Sequence, residues 1–210
     1  MPWYEHGRPF TDYTVVVVGQ GPSVVPTDVD LISKIYPTIA IKDTYLYAPN
    51  AQIIYACDRS WWFQRWRTDK ELREHKADKV VLDYQKLDTK VPDLNWVKCG
   101  GNHGFDFRPG YVMHGRNSGH QALNLAVNMG GLKIILMGFD MKKLNGKAHC
   151  HDRHVPIDDN VFDTFYEAMM TAAPLLAKKG IKVINTSLQS RLSCFPKMPF
   201  IQAIEWGKYG

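Results

Sequence analysis

The chain has 210 residues, 45% hydrophobic and 22% charged, near the averages for a globular protein, which argues against a disordered chain, a collagen-like repeat and a coiled coil. Its 26 basic and 21 acidic side chains leave a formal charge of +5, which admits an anionic ligand but falls short of the Lys and Arg clustering usual in a dedicated nucleic-acid domain. Cys57, Cys99, Cys150 and Cys194 are scattered without a C-x-x-C pair, against a zinc ribbon or a disulfide scaffold, and no apolar run approaches the ~18 residues of a membrane helix, so a cytoplasmic protein with no membrane partner is expected.

In chain order, Tyr13-Thr14-Val15-Val16-Val17-Val18 is apolar on both faces, as a central parallel strand must be, and runs into Gly19-Gln20-Gly21-Pro22-Ser23. Residues 28–35 predict a helix between this strand and a second at 38–41, with a third at 52–56, which is βαβ spacing. A helix over 60–76 begins with Trp61, Trp62, Phe63 and Trp66, whose spacing suits packing on a sheet better than stacking on a ligand, and ends charged. Val80-Val81-Leu82 is a short strand. From 83 to 115, Pro92, Gly100, Gly101, Gly104, Pro109 and Gly110 predict an irregular insertion of loops and short irregular strands.

Asn117 or Ser118 then stands where it can cap a helix running to about 129, and a strand over 132–137 ends in Gly138-Phe139-Asp140. A polar stretch, a helix over 158–179, a strand at 181–184 and a short helix at 199–205 complete the order. Such alternation predicts an α/β fold: one Rossmann-like domain over 1–210 with a doubly wound, mostly parallel sheet. Ligands of that architecture bind beyond the carboxyl ends of the strands, here the loops at 19–23, 57–60, 138–154 and 185–190.

Chemistry is read from those loops. In Gly19-Gln20-Gly21-Pro22-Ser23 two glycines let backbone approach a ligand and aim amides at an anion, although neither a Walker A loop nor G-x-G-x-x-G is present; a tight turn is the plain alternative. Arg116-Asn117-Ser118-Gly119 opens a helix, where free amides favour an anionic group and Arg116 can add a bidentate contact, or else it is an ordinary cap. Asp58 can accept from a sugar hydroxyl or a base amine, or simply cap the next helix. His149-Cys150-His151-Asp152-Arg153-His154 is the densest ionisable cluster: a metal site, a general acid or base supplied by His149, His151 or His154, and a solvated loop all fit it. Cys150 as a thiolate nucleophile ranks below these.

Together, Val-Val-Val-Val-Gly-Gln-Gly-Pro-Ser, Arg116-Asn117-Ser118-Gly119, Ile134-Ile135-Leu136-Met137-Gly138-Phe139-Asp140, Asn185-Thr186-Ser187 and Cys194-Phe195-Pro196-Lys197 resemble a family of phage and prophage proteins. That family is similar to the 6-hydroxymethylpterin pyrophosphokinase-like (MptE-like) family and, more distantly, to the sialyltransferases of glycosyltransferase family 42. In the latter a Gly-Asn-Gly-Pro-Ser loop touches the cytidine nucleotide, a Thr-Ser-Gly at a helix start receives donor phosphate or carboxylate, and a strand ends in Gly-Ile-Asp-Phe. The resemblance implies a nucleotide-sugar-dependent glycosyltransferase. Gly19, Gln20, Gly21, Pro22 and Ser23 would lie at the nucleotide, with Lys42 where the family has an Asn; Asn117, Ser118 and Gly119 would hold the donor's anionic groups beside Gly138 and Asp140.

A histidine of the 149–154 cluster would deprotonate the acceptor, a glycan or a modified nucleic-acid base, and no cofactor beyond a donor such as a CMP-linked sugar is implied. A non-catalytic nucleotide- or ligand-binding protein and a metal-dependent pyrophosphokinase are the alternatives. Arg116, Lys142, Lys143, Lys147 and Arg153 are expected at the ligand face, and the short chain leaves acceptor recognition to its loops or to a second copy in a homo-oligomer.

Overall fold

Val15, Val16, Val17 and Val18 are fully buried, the first and third in the apolar layer on one face of a sheet, the second and fourth in the layer on the other. Burying a valine side chain stabilises by about 1.5–3 kcal/mol, so this strand alone anchors the centre of the fold. It is β1 (Thr14–Val18) of a computed structural model that describes residues 14–83, 91–153 and 157–209.

After β1 come α1 (Pro26–Ser33), β2 (Thr38–Ile41), a 3-10 turn (Lys42–Leu46) and β3 (Ile53–Ala56). The helix expected over 60–76 is broken in two, α2 (Arg59–Thr68) and α3 (Lys70–Glu74), because Asp69 adopts an extended conformation and its Oδ1 accepts from the N–H groups of Glu71 and Leu72. Trp61 and Trp62 are buried at the start of α2, the packing role their spacing suggests.

The segment expected as an irregular insertion instead extends the sheet. After β4 (Asp78–Asp83), β5 (Leu94–Gly101) pairs parallel to it and β6 (Tyr111–Met113) pairs parallel to β5. These two strands, β6 at the edge and β5 next to it, bury only some of their residues, so they lack the continuous apolar run that marks β1. Gly100 also permits the intervening turn to fold back, since a Cβ there would sit 2.1 Å from Asp106 Oδ2. The chain finishes with α4 (Ser118–Asn128), β7 (Lys133–Met137), α5 (Asn160–Lys178), β8 (Lys182–Asn185) and α6 (Phe200–Tyr209).

The eight strands form one parallel sheet in the order β6-β5-β4-β3-β2-β1-β7-β8. Residues of α4 and α5 fill the layer under one face; α1, α2, α3 and α6 fill the other. The order reverses between β1 and β7, and an open sheet of this kind leaves a crevice at that point, beyond the carboxyl ends of the strands. Among the described residues no helix is long and apolar enough to cross a membrane.

Inside α4, His120 is fully buried, and burial pushes its pKa down from 6.5 to about 4. Between those values the unfolded chain binds the proton that the folded chain refuses, so the stabilisation is complete above about pH 6.5 and drains as pH falls toward 4. The expected loss is about 3 kcal/mol over that window. Denaturant midpoints measured at intervals from about pH 7 to pH 4 should show this slope, and His120→Gln should reduce it, the remainder coming from groups such as His149 that burial also lowers to about 4; an unchanged slope would assign the acid sensitivity elsewhere.

Candidate functional site

A cavity of about 230 Å³ lies at the reversal point. Its walls come from four places: Gly19, Gln20 and Gly21 after β1; Ile41 and Lys42 after β2; Asn117, Ser118 and Gly119 at the start of α4; and residues 138–142 after β7, joined by His149 and the first turns of α5.

The loops after β1 and β7 are interlocked. The Gly19 N–H donates to the Met137 carbonyl (2.7 Å) and the Gly21 N–H to the Gly138 carbonyl (2.9 Å). The glycine amides expected to face an anion are thus committed to the neighbouring loop, because two adjacent strands end side by side there. A Cβ on Gly21 would lie 2.1 Å from Asp140 Oδ2 and 2.5 Å from the Gly138 oxygen. Gly138 itself has φ +69°, and a Cβ on it would meet Val24 at 2.4 Å.

Asp140 is buried and receives at Oδ2 both the Ser23 N–H (3.0 Å) and the Ser23 hydroxyl (2.9 Å); Ser23 Oγ also lies 2.6 Å from Ser187 Oγ. Its Oδ1 is buried without a hydrogen-bond partner among the described residues. Burial pushes the Asp140 carboxyl above its usual range, and the bonds from Ser23 and Ser187 offset that only in part. Ser23 therefore acts through Asp140, while Pro22 and Ser23 themselves line a second depression beside Leu144, Lys147 and Leu188.

At α4, Asn117 is the cap: its Oδ1 accepts from the His120 N–H (2.6 Å) and its Nδ2 donates to the Gly115 carbonyl (3.1 Å). The Ser118 hydroxyl pairs with the end of β3, accepting the Cys57 N–H and lying 3.2 Å from Cys57 Sγ. Ser118 and Gly119 still present the positive end of the helix dipole to the cavity. Asn117→Ala should lower stability by about 1 kcal/mol, read as a denaturant midpoint shift; no shift would mean the cap is replaced by water.

Lys42 lies in the wall with φ +51° and places Nζ 2.6 Å from Asp58 Oδ2, so these two candidate ligand groups neutralise each other. Arg116 is exposed and outside the cavity lining. Of the other cations expected at this face, Lys142 lines the cavity, Lys143 pairs with Asp159 at 2.9 Å, and Lys147 is exposed.

Arg153 points inward instead, to Asp69 at 2.6 Å and to the fully buried Asp43 at 3.4 Å. Asp43 also holds Arg65 at 2.8 Å and accepts from the Trp61 indole, while the Tyr45 hydroxyl donates to Asp69. The break between α2 and α3 places Asp69 where it can hold the end of the histidine loop.

That loop is tied to the β1 loop as well. The Cys150 N–H donates to the Gln20 carbonyl (2.9 Å), and His151 Nε2 lies 2.6 Å from Gln20 Nε2. His149 faces the cavity, its ring stacked on His151 with centroids 5.8 Å apart and planes 7° from parallel. Burial, helped by His151 and Lys42, pushes the His149 pKa down to about 4, so its imidazole is neutral at pH 7. His151 is lowered too, again mainly by burial. Cys150 is pushed up to about 12 by burial, which removes the thiolate nucleophile. His154 lies outside the described residues. Among the described residues no group of three or more His, Cys, Asp or Glu could hold a metal ion.

The remaining wall is apolar: Phe139, Met141 and Ala148 come from the expected 138–154 loop, whereas Ile157 and Phe162 and Phe165 of α5 lie outside the expected ligand loops. The three-residue spacing of the two α5 phenylalanines was the only local signal, and it reads equally as an ordinary buried helix face.

No protein-family model matches the chain, and no curated protein matches it. A similar solved structure is the sialyltransferase CstII from Campylobacter jejuni in complex with a substrate analogue, cytidine-5'-monophosphate. The match has a TM-score of 0.56 at 14% identity and covers 90% of this chain and 86% of that one, a likeness that establishes a shared fold.

Proposed function

We propose that this protein transfers a glycosyl group from a nucleotide sugar, with a CMP-linked sugar as the first donor to try, to an acceptor hydroxyl on a glycan or a modified nucleic-acid base. The observation that carries the reading is the meeting, in one cavity at the sheet's reversal point, of the Gly19–Gly21 loop, the start of α4 and the Gly138–Asp140 loop. The sialyltransferase of the same fold was solved with CMP, which favours a cytidine donor.

In this reading Ser118 and Gly119 hold the donor phosphate at the helix N-terminus, and the interlocked glycine loops leave room for the ribose. Lys42, its charge matched by Asp58, offers a hydrogen-bond donor from the cavity wall to the nucleotide. The acceptor oxygen attacks the anomeric carbon as the bond from that carbon to the phosphate oxygen breaks. The phosphate leaves with the electron pair, and His149, neutral at pH 7, takes the hydroxyl proton. A bound phosphate would raise the pKa of His149 and so strengthen it as a base.

Titration with CMP, followed by calorimetry and melting temperature, should show saturable binding. His149→Ala should keep that binding and lose transfer and donor hydrolysis by about 10²–10⁴-fold. Absence of binding to CMP, UMP, AMP and GMP would overturn the proposal. The low pKa of His149 favours one competing reading, a nucleotide-binding protein without turnover; that reading predicts equal CMP affinity in both proteins and no consumption of any donor.

A further inference from the structure

The cavity has two unlike halves. One carries polar side chains: Lys42, Asn117, Ser118, Asp140 and His149 stand around the glycine loops. The other, among the described residues, is apolar: Phe139, Met141, Ile157, Phe162 and Phe165. The two α5 rings meet edge to face, centroids 6.4 Å apart and planes at 90°, so they form a corner against which a flat ring can lie on one face and meet the edge of the other. Phe139 is the floor that joins the halves, its ring 3.2 Å from a Cβ placed on Gly19 and 2.9 Å from one placed on Gly119.

Charge is scarce at this corner. Lys42 is matched by Asp58 and His149 is neutral, which leaves Lys142, exposed, as the cation of the lining. A carboxylated or polyhydroxylated sugar placed against Phe162 and Phe165 would leave its polar groups unpaired, and so would the hydrogen-bonding edge of a nucleobase. An uncharged aromatic ring has no such groups.

We infer that the apolar half is the acceptor subsite and that it takes an uncharged aromatic ring bearing the hydroxyl that is glycosylated. The inference rests on the glycosyl-transfer reading and replaces its acceptor, a glycan or a nucleic-acid base, with an aromatic alcohol. With the ring in the Phe162–Phe165 corner, its hydroxyl shares one cavity with His149. A bond forms from that oxygen to the anomeric carbon, the bond from the carbon to the donor phosphate breaks, and the proton passes to His149.

The test is calorimetric titration of the protein with benzyl alcohol, alone and at saturating CMP, with galactose as the polar comparison. The aromatic alcohol should bind at saturating CMP and galactose should not. Phe165→Ala should weaken the alcohol by about tenfold, the loss of one aromatic contact, and leave CMP affinity within about twofold. Phe165→Leu, which keeps apolar volume, should retain the fold where the alanine variant does not and still weaken the alcohol.

Competition between CMP and the alcohol would overturn the inference by giving the apolar half to the nucleobase. So would binding of galactose in preference to the alcohol, or an alcohol affinity indifferent to Phe165. Failure of CMP itself to bind is read separately and removes the donor reading, whereas CMP binding without alcohol binding removes only this one.

Discussion

Gly21→Ala is expected to abolish CMP binding and to lower stability by about 1–3 kcal/mol, the usual cost of forcing a methyl into a filled space. The methyl would lie 2.1 Å from Asp140 Oδ2 and 2.5 Å from the Gly138 carbonyl oxygen. The first obstacle is a side chain fixed by two bonds from Ser23; the second is backbone and is the acceptor for the Gly21 N–H. Neither can move without opening the joint between the β1 and β7 loops, and that joint shapes the cavity floor. Adding Asp140→Ala removes the nearer obstacle and leaves the farther, so the double variant should recover part of the stability. Melting temperature and CMP calorimetry read both effects, and a Gly21→Ala protein indistinguishable from wild type would show that the joint does not shape the site.

Asp43→Ala should be more costly still, about 3–5 kcal/mol, because removing one partner of a buried ion pair leaves the other uncompensated. Asp43 is fully buried between Arg65 at 2.8 Å and Arg153 at 3.4 Å and also accepts the Trp61 indole N–H. Arg153 keeps Asp69 after the change, so most of the penalty falls on Arg65, whose side chain is only 13% exposed. Arg65→Met in the same chain should then restore part of the loss, a coupling that a double-mutant cycle measures directly. A cost below about 1 kcal/mol for Asp43→Ala would show that water reaches the cluster. The cluster also bears on function: it holds Arg153, at the end of the loop that carries His149, so the variant should weaken any His149-dependent turnover beyond its effect on stability.

Much of the framework is legible in the amino-acid sequence. Val15 to Val18 and Ile134 to Met137 are runs apolar on both faces, and such runs fit only the interior of a parallel sheet covered on both sides. Gly19, Gly21 and Gly138 at the ends of those runs marked the loops that form the cavity. The edge was harder to see. β5 and β6 are hidden among glycines and prolines because strands at and next to the sheet's edge are only partly buried and need no continuous apolar run. The helix over 60–76 looked continuous because its periodicity carries across Asp69, whereas the break is decided by the side-chain cap that Asp69 makes.

For the site the division is sharper. Local sequence determined the alternating parallel architecture, the strand-end loops and the presence of histidines near them, because hydrophobic period, glycine and capping residues act over a few neighbours. Partner choice between distant segments was decided by tertiary structure. Lys42 and Asp58 cancel each other, Arg153 turns inward to Asp43 and Asp69, and the glycine amides serve the adjacent loop. His149 faces the cavity while His151 meets Gln20, and α5 closes one side with aromatic carbon. The physical reason is that charge pairing, burial and the pKa values that follow depend on groups brought together by the sheet's crossovers, across separations that no local pattern encodes.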